Sequence, residues 1–96
     1  MIQRLAKQLE KEKRDLEVLA AVIENQPIGI VRLSNETGID EHKVRYSLRM
    51  LENDGLIEPS PDGAVAAADI ERRASHINEG LDGLIERIRT LQREEF

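Results

Sequence analysis

The stretch "DEHKVRYSLRM", residues 40–50, gathers side chains suited to holding a polyanion. Arginine can bridge the O6 and N7 edge of guanine, lysine can neutralise a phosphate, and tyrosine can stack or touch a thymine methyl. A helical wheel sorts them. With Val44 inward, Leu48, Leu51 and Gly55 fall near it and Ser47 lies at the edge. His42, Tyr46, Arg49 and Asn53 then face the opposite way, flanked by Lys43 and Arg45. The acids Asp40 and Glu41 sit at the amino end, and Glu52 and Asp54 near the carboxyl end, so the outward middle is basic and polar. The plain alternative is the solvated face of a packed helix, and charge alone favours that alternative.

No other constellation carries chemistry. His42 and His76 are the only histidines and have no partner at metal-ligand spacing. Ser34, Ser47, Ser60 and Ser75 lack the neighbours of a nucleophile, and no glycine-rich phosphate loop follows a strand. The chain has no cysteine, so neither a disulfide framework nor a thiolate metal site is available. An enzyme, a metal site and a cofactor are therefore not expected.

The elements that must position the basic face can be read from periodicity. Residues 1–26 predict one long helix, with Ile2, Leu5, Leu9, Leu16, Leu19 and Ile23 at alternating spacings of three and four, interrupted at Glu12. From Leu16 the apolar face widens through Val18, Ala20, Ala21 and Val22, which predicts entry into a core. Pro27 ends this helix, because proline disfavours helical geometry in the preceding residue. Ile28 suits a short strand, and Gly29 opens a second helix with Ile30, Val31 and Leu33 inward and Arg32, Asn35 and Glu36 outward. Thr37-Gly38-Ile39 forms a tight turn, Asp40 caps the next helix, and Gly55 stops it after Asp54.

Leu56-Ile57-Glu58 then reads as a strand, residues 59–63 as a turn carrying an Asp-Gly hairpin signal, and residues 64–68 as the return strand. Asp69 caps a last helix whose positions Ile70, Ala74, Ile77, Leu81, Leu84, Ile88 and Leu91 form a heptad seam. Gly80 and Gly83 weaken it locally.

Composition sets the frame. Ninety-six residues with 40% hydrophobic content and only Tyr46 and Phe96 aromatic make one small domain with an aliphatic core. A chain this short often completes its stability by oligomerising. Net charge is −5, and no segment has more bases than acids, so a phosphate-facing patch must arise from folding. Arginine outnumbers lysine ten to four, and this acidic, lysine-poor, cysteine-free composition suits a salt-rich cytoplasm. No apolar run reaches membrane-spanning length and the amino terminus does not read as a signal peptide, so a cytoplasmic protein without membrane contact is expected.

The block "IGIVRLSNETGIDEHKVRYSLRMLENDGLI" resembles the winged helix-turn-helix of archaeal and bacterial transcriptional regulators, the broad group of MarR-like and ArsR-like families. The Thr-Gly-Ile turn, the Val44, Leu48, Leu51 spacing and the Asn-Asp-Gly-Leu-Ile ending carry the likeness, over roughly residues 16–68. It implies a mainly α fold with a small β-hairpin wing. Residues 1–15 would be a helical extension, 16–68 the winged core and 69–96 a dimerisation helix, both long terminal helices being coiled-coil-like. It also implies sequence-specific binding to double-stranded DNA, with helix 41–54 in the major groove and His42, Lys43, Arg45, Tyr46 and Arg49 as contacts. Arg32 on the preceding helix would touch the backbone. Regulators of this kind often bind a small-molecule effector between dimer helices, a further expectation with no residue attached.

The wing departs from the family pattern. "EPSPDGAVAAAD" holds no Lys or Arg, so it brings no cation to DNA, although Arg72 and Arg73 lie just beyond it. For the terminal helices, the plain reading is packing against each other within one chain. The sharper reading is a homodimer seam of Ile70, Ile77, Leu81, Leu84, Ile88 and Leu91, with the first helix alongside. Two alternatives stand beside the DNA-binding regulator: a winged helix serving as a protein-interaction module in a larger assembly, and a structural coiled-coil adaptor.

Overall fold

The structure, a computed structural model, describes the backbone of residues 1–95 and the side chains of residues 1–93. Phe96, the last position of the expected 69–96 segment, lies outside them. Four helices and one hairpin follow in order: α1 (Ile2–Asn25), α2 (Ile30–Thr37), α3 (Glu41–Asn53), β1 (Ile57–Ser60), β2 (Gly63–Ala66) and α4 (Ile70–Glu95). This is the expected mainly α architecture with a hairpin wing and long terminal helices.

The core is aliphatic throughout. Val18, Leu19 and Val22 of α1, Leu33 of α2, and Val44 and Leu51 of α3 meet Ile28, Ile57 and Ala64 in one cluster. Two details of the helical faces differ from the sequence reading. On α2 the inward set is Ile30, Leu33, Ser34 and Thr37, at offsets of three and four. Val31, expected inward, lies off that stripe and is 62% exposed. On α3 the edge residue Ser47 is fully buried while Leu48 is only partly so.

Backbone geometry explains where the helices stop. Gly38 takes a left-handed conformation (φ 73°) and donates its N–H to the Ser34 carbonyl, closing α2. Asp40 begins α3 by accepting a hydrogen bond from the His42 N–H at 2.9 Å. At the other end Gly55 donates to the Glu52 carbonyl and Leu56 to the Leu51 carbonyl, the paired bonds of a Schellman ending.

The wing is shifted from its expected place. The strands pair antiparallel with Ser60 opposite Gly63, so Pro61-Asp62 forms the turn and Gly63 begins the return strand. Neither Pro61 nor Asp62 has positive φ, so the turn is not the mirror-image type that Asp-Gly usually signals. Instead Gly63, at φ 129°, lets the chain approach the first half of the protein. Ile28 and Ala64 exchange both backbone hydrogen bonds, at 3.1 and 2.8 Å. The N–H and C=O of Ala64 thus point to Ile28, away from β1. Pro59, paired with Ala64 on β1, therefore occupies a pair that needs no ladder N–H, and proline fits within the strand. The Gln26 Oε1 accepts a further bond from the Ala66 N–H at 2.9 Å.

α4 is clamped at its start. The Asp69 carboxylate accepts from Arg72 at 2.7 Å and from the Arg73 Nε at 3.1 Å. Arg73 also donates to the Asp54 carbonyl at 3.2 Å, and its guanidinium lies over Gly55, tying α4 to the end of α3. Ile70 and Ile77 pack against the core, but every residue from 78 to 93 is exposed, as are residues 1–13 of α1. The terminal helices thus do not cover each other's seams within the chain.

Two outcomes follow for stability. A Cβ at residue 63 would lie 2.5 Å from the Ile28 carbonyl carbon, at a φ that L-residues rarely adopt. Gly63→Ala should lower unfolding free energy by about 2–5 kcal/mol, combining strain and overpacking. Urea denaturation checks this, and a loss below about 0.5 kcal/mol, the scatter of an ordinary surface substitution, would contradict it. The hydrogen bond from Arg73 chiefly holds the Asp69 carboxyl below its ordinary value. A carboxylate depressed in the folded state stabilises the fold above its unfolded pKa, and that contribution is lost as pH falls through the folded value. Asp69→Asn should therefore flatten part of the acid-side decline in denaturation midpoint, and parallel declines in both proteins would refute this.

Candidate nucleic-acid interface

The basic face rests on a turn built from side chains as well as backbone. The Ser34 hydroxyl donates to the Ile39 carbonyl at 2.6 Å, and the Thr37 hydroxyl donates to the Leu33 carbonyl at 2.7 Å while accepting the Ile39 N–H at 3.2 Å. These bonds join the end of α2 to the approach to α3 and fix the angle between the two helices. Val44 and Leu51 are buried against α1 and α2, which sets the rotation of α3 about its axis.

With that rotation, His42, Lys43, Arg45, Tyr46 and Arg49 are all exposed, and so is Arg32 on α2. Among the described residues no ion pair engages Arg32, Lys43, Arg45 or Arg49, the ion pairs there being confined to α4 and its start. Their charges remain available to a ligand. The amino end of α3 carries Asp40 and Glu41, and Glu52 and Asp54 are exposed at the carboxyl end, so the open cations occupy the middle of the helix.

Sequence reasoning missed one component, which comes from α1. Arg14 donates from Nε to the buried Ser47 hydroxyl at 2.9 Å, and its guanidinium carbon lies 5.7 Å from the Tyr46 ring centroid. Lys11 and Arg14 line one cleft with His42, Lys43 and Tyr46. Lys7, Lys11 and Arg14 fall on one helical stripe by their spacing, a signal masked by the equal numbers of acids and bases over residues 1–26.

The other expected contacts are placed differently. The wing strands expose Glu58 and bring no cation, and Arg72 and Arg73 are engaged with Asp69. Of the six expected seam residues on α4, Ile70 and Ile77 are partly buried against this chain's own core. Leu81, Leu84, Ile88 and Leu91 are exposed, together with Ile85. Among the described residues no cluster of His, Cys, Asp or Glu is arranged to hold a metal, and no helix is long and apolar enough to cross a membrane.

A family model described as winged helix-turn-helix DNA-binding matches residues 11–58, half of the chain. The match runs from the carboxyl half of α1 through α2 and α3 into β1. No curated protein matches the chain.

Proposed function

The chain belongs to the winged helix-turn-helix DNA-binding family, and from that premise we propose that it is a transcriptional regulator that binds duplex DNA as a homodimer with α3 in the major groove. The observation that carries this reading is the set of exposed, unpaired cations on α3 held in a fixed orientation by a helix-turn-helix. Arg45 and Arg49 suit guanine edges, Lys43 and Arg32 suit phosphates, and His42 and Tyr46 supply polar and stacking contacts.

The dimer rests on the uncovered seam of α4. Leu81, Leu84, Ile88 and Leu91 keep coiled-coil spacing and are exposed, and a second copy would remove them from water. A two-fold axis would also present two copies of α3 to a palindromic site, with half-sites about one helical turn apart.

One observation favours a second reading, a winged helix that binds another protein: the wing brings no positive charge to hold a DNA backbone. Measured affinity for duplex DNA separates the two. Arg45→Ala/Arg49→Ala should reduce binding to a selected duplex at least 100-fold, on the basis of about 1–3 kcal/mol per specific arginine contact. Its circular dichroism and oligomeric state should match the parent. Equal binding by parent and double variant would remove α3 from the reading role. No parent binding even at low salt, with a defined protein partner captured instead, would favour the second reading.

The seam has its own test. Leu84→Glu/Ile88→Glu leaves Ile70 and Ile77 on the core and places charges at exposed positions. Light scattering should give the mass of a dimer for the parent and a monomer for the variant. A variant of parental mass would take α4 out of the interface.

A further inference from the structure

We infer that α1 is part of the DNA-binding surface, and that the cleft between α1 and α3 takes a phosphate of the duplex backbone flanking the bases addressed by α3. This rests on the DNA-binding reading above and extends it to residues outside the recognition helix.

Three observations point the same way. First, the cleft is lined by Lys11, Arg14, His42, Lys43 and Tyr46, three of them permanent cations and none an acid. Glu10, Glu17 and Asp40 line a neighbouring cavity instead, which shares Lys11, Arg14 and Lys43 with it. Second, Arg14 is held in place. Its Nε bond to the fully buried Ser47 and its position over Tyr46 reduce the freedom of a long side chain, so less entropy is lost when its remaining donors meet a phosphate. Third, Lys7, Lys11 and Arg14 share a stripe with Val18 and Val22, the residues that face the core. Residues 1–13 extend beyond the core, so this stripe continues the core-facing side of α1 past the cleft and carries Arg4 with it.

Duplex backbone is the ligand this arrangement fits. The cleft is open to solvent, its cations come from two helices, and one of those helices carries the proposed base-reading face. A row of lysine and arginine at helical spacing follows a strand of phosphates and carries no sequence preference. It also supplies cations that the wing lacks.

The test uses the full chain and Lys11→Gln, an exposed substitution, with Arg93→Gln near the end of α4 as a control for loss of one exposed charge outside the cleft. The measurement is the dependence of duplex affinity on salt, for a selected site and for random duplex. Loss of one phosphate contact in each protomer of the proposed dimer, at about 0.9 per contact, should reduce the slope of log K against log salt by about 1.8 in Lys11→Gln, equally for both duplexes. Arg93→Gln should keep the parental slope. A parental slope in Lys11→Gln, or the same reduction in both variants, would overturn the inference while leaving the role of α3 intact. If the parent binds no duplex, this inference falls together with the DNA-binding reading.

Discussion

The hydrogen-bonded pair between Ile28 and Ala64 is the constraint on which the rest of the fold depends. It joins the segment between α1 and α2 to the return strand of the wing, two regions far apart in sequence. Side chains on both sides enter the core, Ile28 and Ala64 themselves being buried. The close approach requires glycine at residue 63, and the proline in β1 sits at a pair where the ladder needs no donor. Gln26 adds a side-chain bond to Ala66 beside the same pair. With the wing fixed, the path from Gly55 to Asp69 is fixed, and Arg73 can reach the end of α3. The orientation of α3 is thus held from α1 and α2 on one side and from the wing and α4 on the other.

The electrostatics are a matter of faces. A chain with net charge −5 would repel a polyanion if its charge were spread evenly. Folding separates the groups. Asp69 draws Arg72 and Arg73 into local ion pairs, and Arg89 pairs with Glu86 on α4. The cations left without acid partners by these contacts include those on α2 and α3. In the proposed complex the acidic remainder would disfavour DNA on the other surfaces and limit the orientations in which a duplex approaches.

Much of the fold was legible because its punctuation is chemical. Pro27, Gly38, Asp40 and Gly55 each act through local backbone geometry, and the helix limits they imply agree with the structure to within a residue or two. The wing register was not legible from the same cues. Asp62-Gly63 signals a turn, but Gly63 is demanded by a contact with Ile28, a long-range reason that local spacing does not contain. Val31 and Ser47 fail for a related reason: polarity suggests a face, while the direction of neighbouring helices decides which residues are covered. At the candidate site, the exposed set on α3 followed from its apolar spacing. Arg14 and Lys11 required knowledge of which side of α1 lies against α3.

The terminal helices raise a different question of energetics. Helices in water gain most of their stability from packing an apolar face, and glycine costs roughly 1 kcal/mol relative to alanine inside one. α4 carries Gly80 and Gly83 in the stretch where its contact with the core has ended, and neither glycine has a neighbour within 4 Å of where a Cβ would sit. Close approach within this chain therefore does not account for them. The stretch that follows holds five large apolar residues in solvent, from Leu81 to Leu91. Low intrinsic helix stability beside an apolar seam is the combination expected where order is supplied by association. In the proposed dimer, burying the seam would stabilise the helix and fix the spacing of the two DNA-reading faces in a single step. Small residues at the point where α4 leaves the core would also permit the helices of two copies to approach closely there. The affinity for a palindromic site would then depend on the stability of α4, even though its seam lies outside the proposed contacts with DNA.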